Sequence, residues 1–302
     1  MTSAVARGVR RLIVFSALAA AVVSPVRDAR ADDTGVCGQT AEGFSAWLGA
    51  FRAKAIADGI SRETVKAALG DVRYDGGVIR LDRSQTPFKK TFEEFLEARL
   101  TPQRIAMGRR AMVRHADLLA AIQKAYAVPG HVLVAIWGLE TDFGAVSGDK
   151  PVFRSLATLA YDCRRAERFR GELWSALRIA ESGSLRVDEM RGAWAGELGQ
   201  TQFLASSYEK FAVDFDGDGR ADLLHSTADV LASTAHYLFQ HNWLPDGDVG
   251  PGTANFVVLG SWNKSTNYQR TIAIFAQELA PEDQRQKGKR KRTIRIAPSE
   301  AE

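Results

Sequence analysis

With 302 residues, 45% of them hydrophobic and 25% charged, the chain is too apolar to stay disordered and long enough for one large domain or two small ones. Its formal net charge of +4 resides in residues 1–31, which carry five Arg and one Asp; the near-neutral remainder excludes the basic footprint of a nucleic-acid binder. Two cysteines, Cys37 and Cys163, are too few for a disulfide-dense scaffold and lack the spacing of a metal site.

Arg7, Arg10 and Arg11 precede an apolar run over 12–23 and a small-x-small site at Ala29-Arg30-Ala31. That is the pattern of a cleaved export signal covering 1–31. The run is too short to span a bilayer and no longer one follows, so the mature chain is expected to be soluble, exported and periplasmic. In that oxidising setting Cys37 and Cys163 either pair or stay free, Cys163 then being a small core residue; the bridge is the favoured of the two.

Helical periodicity dominates the rest. Phe44, Trp47, Leu48 and Phe51 make one apolar stripe. Ser61 reads as the N-cap of a helix running to about Gly70. Phe88, Phe92 and Leu96 repeat at four-residue spacing, as do Leu118, Leu119, Ile122 and Tyr126 ahead of the helix-opening Pro129. Phe169, Leu173, Ala176, Leu177 and Ala180 form a further stripe ending at Gly183, and Val230, Leu231, Thr234, Tyr237 and Leu238 another. Strand-like alternation is scarce, with Val257 to Leu259 too short to count. The expected fold is mostly α, one domain over 32–280. A basic, apolar-poor tail follows over 281–302, with Arg285, Lys287, Lys289, Arg290, Lys291, Arg292 and Arg295, and reads as disordered.

Glu140 stands where a carboxylate is costly. Leu133, Ile136, Trp137 and Glu140 fall at i, i+3, i+4 and i+7 of the helix that Pro129 opens, so they share one face. Burial and the negative end of the helix dipole both raise a carboxyl pKa, which suits a general acid. The alternative is a surface glutamate just past a core helix.

Residues 192–203 alternate Gly192, Gly196 and Gly199 with Trp194, Glu197, Gln200, Gln202 and Phe203. Such a stretch lets backbone approach a ligand closely, or packs as a tight loop on the core. Asp214, Asp216 and Asp218 followed by Gly219 match the first half of a calcium loop, with the Arg220 carbonyl next. His225 stands where a closing glutamate is usual; Asp229 or Asp222 could close the site instead. The alternative is an Asp/Gly turn without an ion.

Taken together, these stretches resemble the B-type family of lytic murein transglycosylases. The resemblance rests on Ile136-Trp137-Gly138-Leu139-Glu140-Thr141-Asp142-Phe143-Gly144, on Leu156-Ala157-Thr158-Leu159-Ala160-Tyr161 leading to Arg164-Arg165, and on Trp194-Ala195-Gly196-Glu197-Leu198-Gly199-Gln200-Thr201-Gln202-Phe203. It extends to the Asp214 loop, to Trp262-Asn263-Lys264-Ser265 with Tyr268, and upstream to Asp82-Arg83-Ser84-Gln85. It implies a lysozyme-like, α-rich domain that cleaves peptidoglycan between N-acetylmuramic acid and N-acetylglucosamine, leaving a 1,6-anhydro end. It implies Glu140 as the single acid/base, with Arg164, Arg165, Gln202, Tyr237, Trp262, Asn263 and Tyr268 lining the saccharide groove. It further implies structural calcium at Asp214, Asp216, Asp218, Arg220 and Asp229, no organic cofactor, and a monomer whose partner is the glycan strand. Two positions depart from the pattern: Ala193 replaces a frequent Ser, and Glu197 a small residue. The rival readings are a hydrolase in which Asp142 or Glu197 positions water, a peptidoglycan-binding protein without turnover, and a calcium-responsive envelope protein.

Overall fold

The computed structural model describes residues 36–84 and 91–282. The expected export signal, Gln85, Phe88 and the basic residues of the tail lie outside them. Within them the chain forms thirteen helices and one short two-stranded ribbon.

Side-chain caps set many of the boundaries. Ser61 accepts the Thr64 amide at the start of α2 (Arg62–Leu69). Asp75 accepts from Gly77 and Val78 at the start of α3 (Gly76–Arg83). Thr91 and Glu94 cap α4 (Phe92–Arg99) reciprocally. Each cap satisfies an amide that helix geometry leaves open and contributes about 1 kcal/mol.

α1 (Phe44–Ala57) buries Phe44, Trp47, Leu48 and Phe51, as its stripe requires. α4 departs from expectation: Phe95 takes the core position while Phe92 and Leu96 stay half-buried. Phe92 instead lies under the Arg270 guanidinium, 3.5 Å from its ring centre, covering a cation rather than filling a core. The short trio around Val257 belongs to α12 (Ala254–Trp262), which Thr253 caps. Val258 and Leu259 are buried and Val257 is exposed, so one helical face is covered and the other is not.

The centre of the fold is α7 (Gly130–Thr141). All eight residues of the stretch 132–139 are buried, so the predicted stripe describes only part of it. The helix is apolar all round because α5 (Pro102–Arg114), α6 (Ala116–Tyr126), α11 (Thr227–Gln240) and α13 (Thr266–Leu279) pack around it. It ends in three successive left-handed residues: Asp142, Phe143 and Gly144, with φ of 51°, 62° and 84°. The two non-glycine residues cost on the order of 1 kcal/mol each. The Thr141 hydroxyl holds this exit, accepting from the Gly144 amide at 2.9 Å and donating to the Gln200 carbonyl at 2.6 Å. Glu140 therefore sits in the last turn of a buried helix from which the chain leaves abruptly.

α8 (Val152–Tyr161) and α9 (Ala166–Glu181) pack along each other. A disulfide between Cys37 and Cys163 joins the segment before α1 to the turn between them. Beside it the Gly38 amide donates to the Tyr161 carbonyl at 3.0 Å, and the Gly38 carbonyl accepts from the Cys163 amide at 3.3 Å. A side chain at 38 would strike the Tyr161 ring, its Cβ falling 2.1 Å from the hydroxyl oxygen. The ribbon pairs β1 (Lys150–Pro151) antiparallel with β2 (Arg191–Gly192), fastening the start of α8 to the glycine-rich stretch. No single helix among the described residues is long and apolar enough to cross a membrane; α6 and α7 are apolar together but bend by 110°.

Candidate active site

The Glu140 carboxyl is almost wholly desolvated, although the residue keeps some open surface. Burial pushes its pKa above the ordinary carboxylate range, and the charge of Glu197 adds to the push. The Trp262 indole, the Tyr268 hydroxyl and the charge of Arg99 act in the opposite direction. Trp262 Nε1 donates to Glu140 Oε1 at 3.0 Å. Tyr268 is buried against the same carboxyl and its hydroxyl interacts with it. That hydroxyl makes no hydrogen bond of ordinary geometry, so it counts as a close polar neighbour rather than a bonded one. Burial and the Glu140 charge hold its pKa far above the usual phenol value. Burial thus favours the protonated carboxyl, while the Trp262 N–H stands ready as a fixed donor to its anion. Such a group can give up a proton and take one back.

A wall of rings extends from Trp262. It meets Phe203 edge-on at 5.4 Å and Tyr237 at 5.1 Å. Tyr237 stacks on His241 at 4.1 Å and donates to the Ser261 carbonyl at 2.8 Å. Gln202, with φ of 56°, donates through its amide nitrogen to the carbonyls of Ser147 at 3.0 Å and Gly199 at 2.9 Å. Asn263 is half-buried: its Oδ1 accepts the Ser265 amide at 2.9 Å and its carbonyl accepts Gln269 Nε2 at 2.8 Å. These two amides shape the loops, whereas Glu140, Trp262, Tyr268 and Tyr237 converge.

Gln200 has a role the sequence did not assign. Its Oε1 accepts Trp137 Nε1 at 2.9 Å and its Nε2 donates to the Leu224 carbonyl at 2.9 Å. It thereby ties the glycine-rich stretch to α7, next to Glu140. Gly199 (φ 76°) lets that stretch approach: a Cβ there would fall 2.6 Å from the Leu223 carbonyl oxygen.

Arg164 and Arg165 sit at the start of α9 and both bond the buried Asp82 of α3. Burial lowers the Arg165 pKa, the neighbouring Arg168 lowers it further, and Glu197 opposes them. The Glu197 side chain folds onto the Ala195 amide at 3.1 Å, and burial raises its pKa. Asp142 is engaged by Arg104, Oδ1 to Nε, at 2.6 Å.

The Asp loop follows the glycine-rich stretch and leads into α11. Carboxylate oxygens of Asp214, Asp216 and Asp229 come within 4.8 Å of one another. Asp229 is fully buried, and burial raises its pKa. A buried carboxylate beside two others, with no ion pair to any of the three among the described residues, is a donor set of hard oxygens that fits calcium. The predicted ligand Asp218 is outside the trio, its Oδ1 accepting the Arg220 amide at 2.8 Å. Asp222 is occupied by Arg220 and His225.

The sequence profile of the transglycosylase SLT domain matches residues 43–252. The chain belongs to the SLT transglycosylase domain family. It is similar to membrane-bound lytic murein transglycosylase B of Escherichia coli (strain K12), at 31% identity over 201 residues, which is 63% of this chain and 55% of the relative. The chain thus spans about half the length of that relative. Among solved structures it is similar to SltB3 from Pseudomonas aeruginosa in complex with NAG-anhNAM-pentapeptide, with a TM-score of 0.74 and 32% identity over 79% of this chain and 80% of that one. It is also similar to the Escherichia coli lytic transglycosylase SLT35 in complex with calcium, with a TM-score of 0.70 and 25% identity over 77% and 92%. The span matched to the SLT domain contains Glu140, the arginine pair, Gln202, Tyr237 and the Asp loop. Trp262 and Tyr268, which complete the surroundings of Glu140, lie beyond it on α12 and α13.

Proposed function

We infer that this SLT-domain protein is a lytic transglycosylase acting on the glycan strands of peptidoglycan. The observation that carries the reading is the Glu140 carboxyl, desolvated at the end of a buried helix with the Trp262 N–H on one oxygen. Glu140 gives its proton to the glycosidic oxygen as the bond from that oxygen to C1 of N-acetylmuramic acid breaks. The substrate's acetamido oxygen shields C1 from the opposite face. The carboxylate, stabilised by Trp262, then takes the proton of the C6 hydroxyl while O6 bonds to C1 and the acetamido oxygen withdraws. No water enters, one carboxyl serves twice, and the product carries a 1,6-anhydro ring. Ordinary glycosidases divide these tasks between two carboxyl groups.

Arg164, Arg165, Gln202, Tyr237, Trp262, Asn263 and Tyr268 form the groove in this reading. The Asp214–Asp216–Asp229 trio holds a structural calcium, with Asp218 and the Arg220 carbonyl as outer contributors. Residues 1–31 direct export to the periplasm, 32–280 form the catalytic domain and 281–302 a basic tail. The bound NAG-anhNAM-pentapeptide of SltB3 and the calcium of SLT35 support the reading by analogy.

Mass spectrometry of the soluble products from purified peptidoglycan tests it. Anhydro products from the wild type, absent for Glu140→Gln, are the expected result. A second reading, hydrolysis, is favoured by the Glu197 carboxylate, whose charge reaches Glu140. There Glu197 would take a proton from water attacking C1, and the products would be one water heavier.

A further inference from the structure

The arginine pair is fixed in place from behind. Asp82 is 1% exposed, and its carboxylate accepts from Arg164 Nη1 and from Arg165 Nη2. Its backbone carbonyl accepts from Arg164 Nη1 as well, at 2.8 Å. The contact is doubled by its neighbours: Arg83 donates to Asp162 Oδ2 at 2.8 Å, and Asp162 Oδ1 accepts the Arg164 amide at 2.9 Å. Asp162 is also buried. The end of α3 and the turn 162–165 are therefore crossed ion pairs, acid to base and base to acid.

The same turn is held from its other side. Cys163 is bonded to Cys37, Gly38 accepts the Cys163 amide and donates to the carbonyl of Tyr161 just before the turn, and Arg170 Nη2 donates to the Val36 carbonyl at 3.0 Å. Both cysteines are exposed, and with Arg164 and Arg165 they line one open cavity of about 460 Å³. The Arg165 side chain keeps 29% of its surface open while Asp82 has almost none. An arginine fixed this way has already lost its rotamer freedom and does not lose it again on binding.

We propose that Asp82 is the positioning residue of the Arg164–Arg165 pair and that the Cys37–Cys163 bridge holds the turn carrying it, so that affinity for the glycan strand depends on two features that do not touch it. The proposal rests on the reading above that these arginines contact the glycan. It adds a redox dependence: a dithiol such as dithiothreitol gives two electrons and two protons to the bridge, leaving two thiols and closing to its own cyclic disulfide. Substrate grip is then complete only where the bridge is oxidised.

Steady-state kinetics on soluble, uncrosslinked glycan strands tests it. Asp82→Asn is expected to raise KM roughly tenfold, the scale of one charge-assisted hydrogen bond, with kcat within about twofold. Reduction of the wild type, its fold checked by circular dichroism, is expected to raise KM several-fold, again without loss of kcat. Arg165→Gln is the control. If it raises KM while folded Asp82→Asn does not, the positioning role is refuted and the groove stands. If Arg165→Gln leaves KM unchanged, the arginine contact itself is refuted, and the proposal with it. Should Asp82→Asn fail to fold, the reduced wild type decides: an unchanged KM overturns the proposal.

Discussion

Replacing Trp262 with Phe isolates one interaction of the acid. The phenyl ring keeps an aromatic face toward Phe203 and Tyr237, which lie 5.4 and 5.1 Å from the indole; it is smaller than the indole and lacks the N–H that donates to Glu140 Oε1 at 3.0 Å. A hydrogen bond to an ionised group contributes about 1.5–3 kcal/mol. Since about 1.4 kcal/mol corresponds to one pH unit, and Arg99 and the Tyr268 hydroxyl still favour the anion, roughly one unit is the expected change. The donor lowers the Glu140 pKa, so its loss raises it. The first step needs Glu140 protonated, hence kcat/KM falls as pH climbs through that pKa. In Trp262→Phe this alkaline limb moves up by roughly one pH unit. The same donor steadies the carboxylate formed when the proton leaves, so kcat at the optimum falls on the order of tenfold. The assay is the pH profile of anhydro-product formation on soluble glycan strands. An alkaline limb coincident with wild type, in a folded variant, refutes the assignment of Trp262 to the acid.

Glu140→Gln should cost roughly 10²- to 10⁴-fold in turnover while stabilising the fold at neutral pH. The folded state holds the Glu140 proton more tightly than the unfolded state does, so wild-type stability declines as pH rises from the ordinary carboxylate range toward the folded value. Calorimetry should show the variant ahead near pH 7 and the gap closing near pH 4. Burial holds the His131 pKa down at about 4 from 6.5. The unfolded chain binds that proton first, so acidification from about pH 6.5 to about pH 4 removes about 3 kcal/mol; His131→Leu should flatten this part of a urea-stability profile. Calcium at about a hundred times its Kd should add about 2.7 kcal/mol of stability, seen as a higher Tm that a chelator reverses. Asp216→Asn should abolish the response, and a response that survives it would remove Asp216 from the site.

The residues that announce themselves locally were legible. Ser61 caps α2, the 44–51 stripe is buried, and Glu140 ends a helix whose other predicted members lie in the core. What the sequence hid depends on partners far along the chain. Asp82 meets Arg164 and Arg165 across more than eighty residues, and no local pattern marks a buried acid whose counterions are that distant. Gln200 is one polar residue among several in its stretch, and only Trp137 and Leu224 distinguish it from Gln202. Phe95 replaced Phe92 in the core because the Arg270 guanidinium covers the Phe92 face. The Val257 trio shows neither the alternation of a strand nor the length of a helix, and the Thr253 cap decides it.

The position of the disulfide has a topological consequence. The bridge between Cys37 and Cys163 closes a covalent ring around 37–163, and α7 with Glu140 lies inside that ring. Trp262 and Tyr268, which frame its carboxyl, are on the open stretch of chain beyond it. A protease nick within the ring leaves two fragments still joined, and the acid stays tethered to its scaffold. A nick in the open stretch between Cys163 and Trp262 releases the indole and phenol as a separate piece held by packing alone. The surroundings of Glu140 therefore straddle a boundary between a covalently closed half and an open one, and a cut on the open side separates Trp262 and Tyr268 from the carboxyl they frame while the helix that bears it stays within the ring.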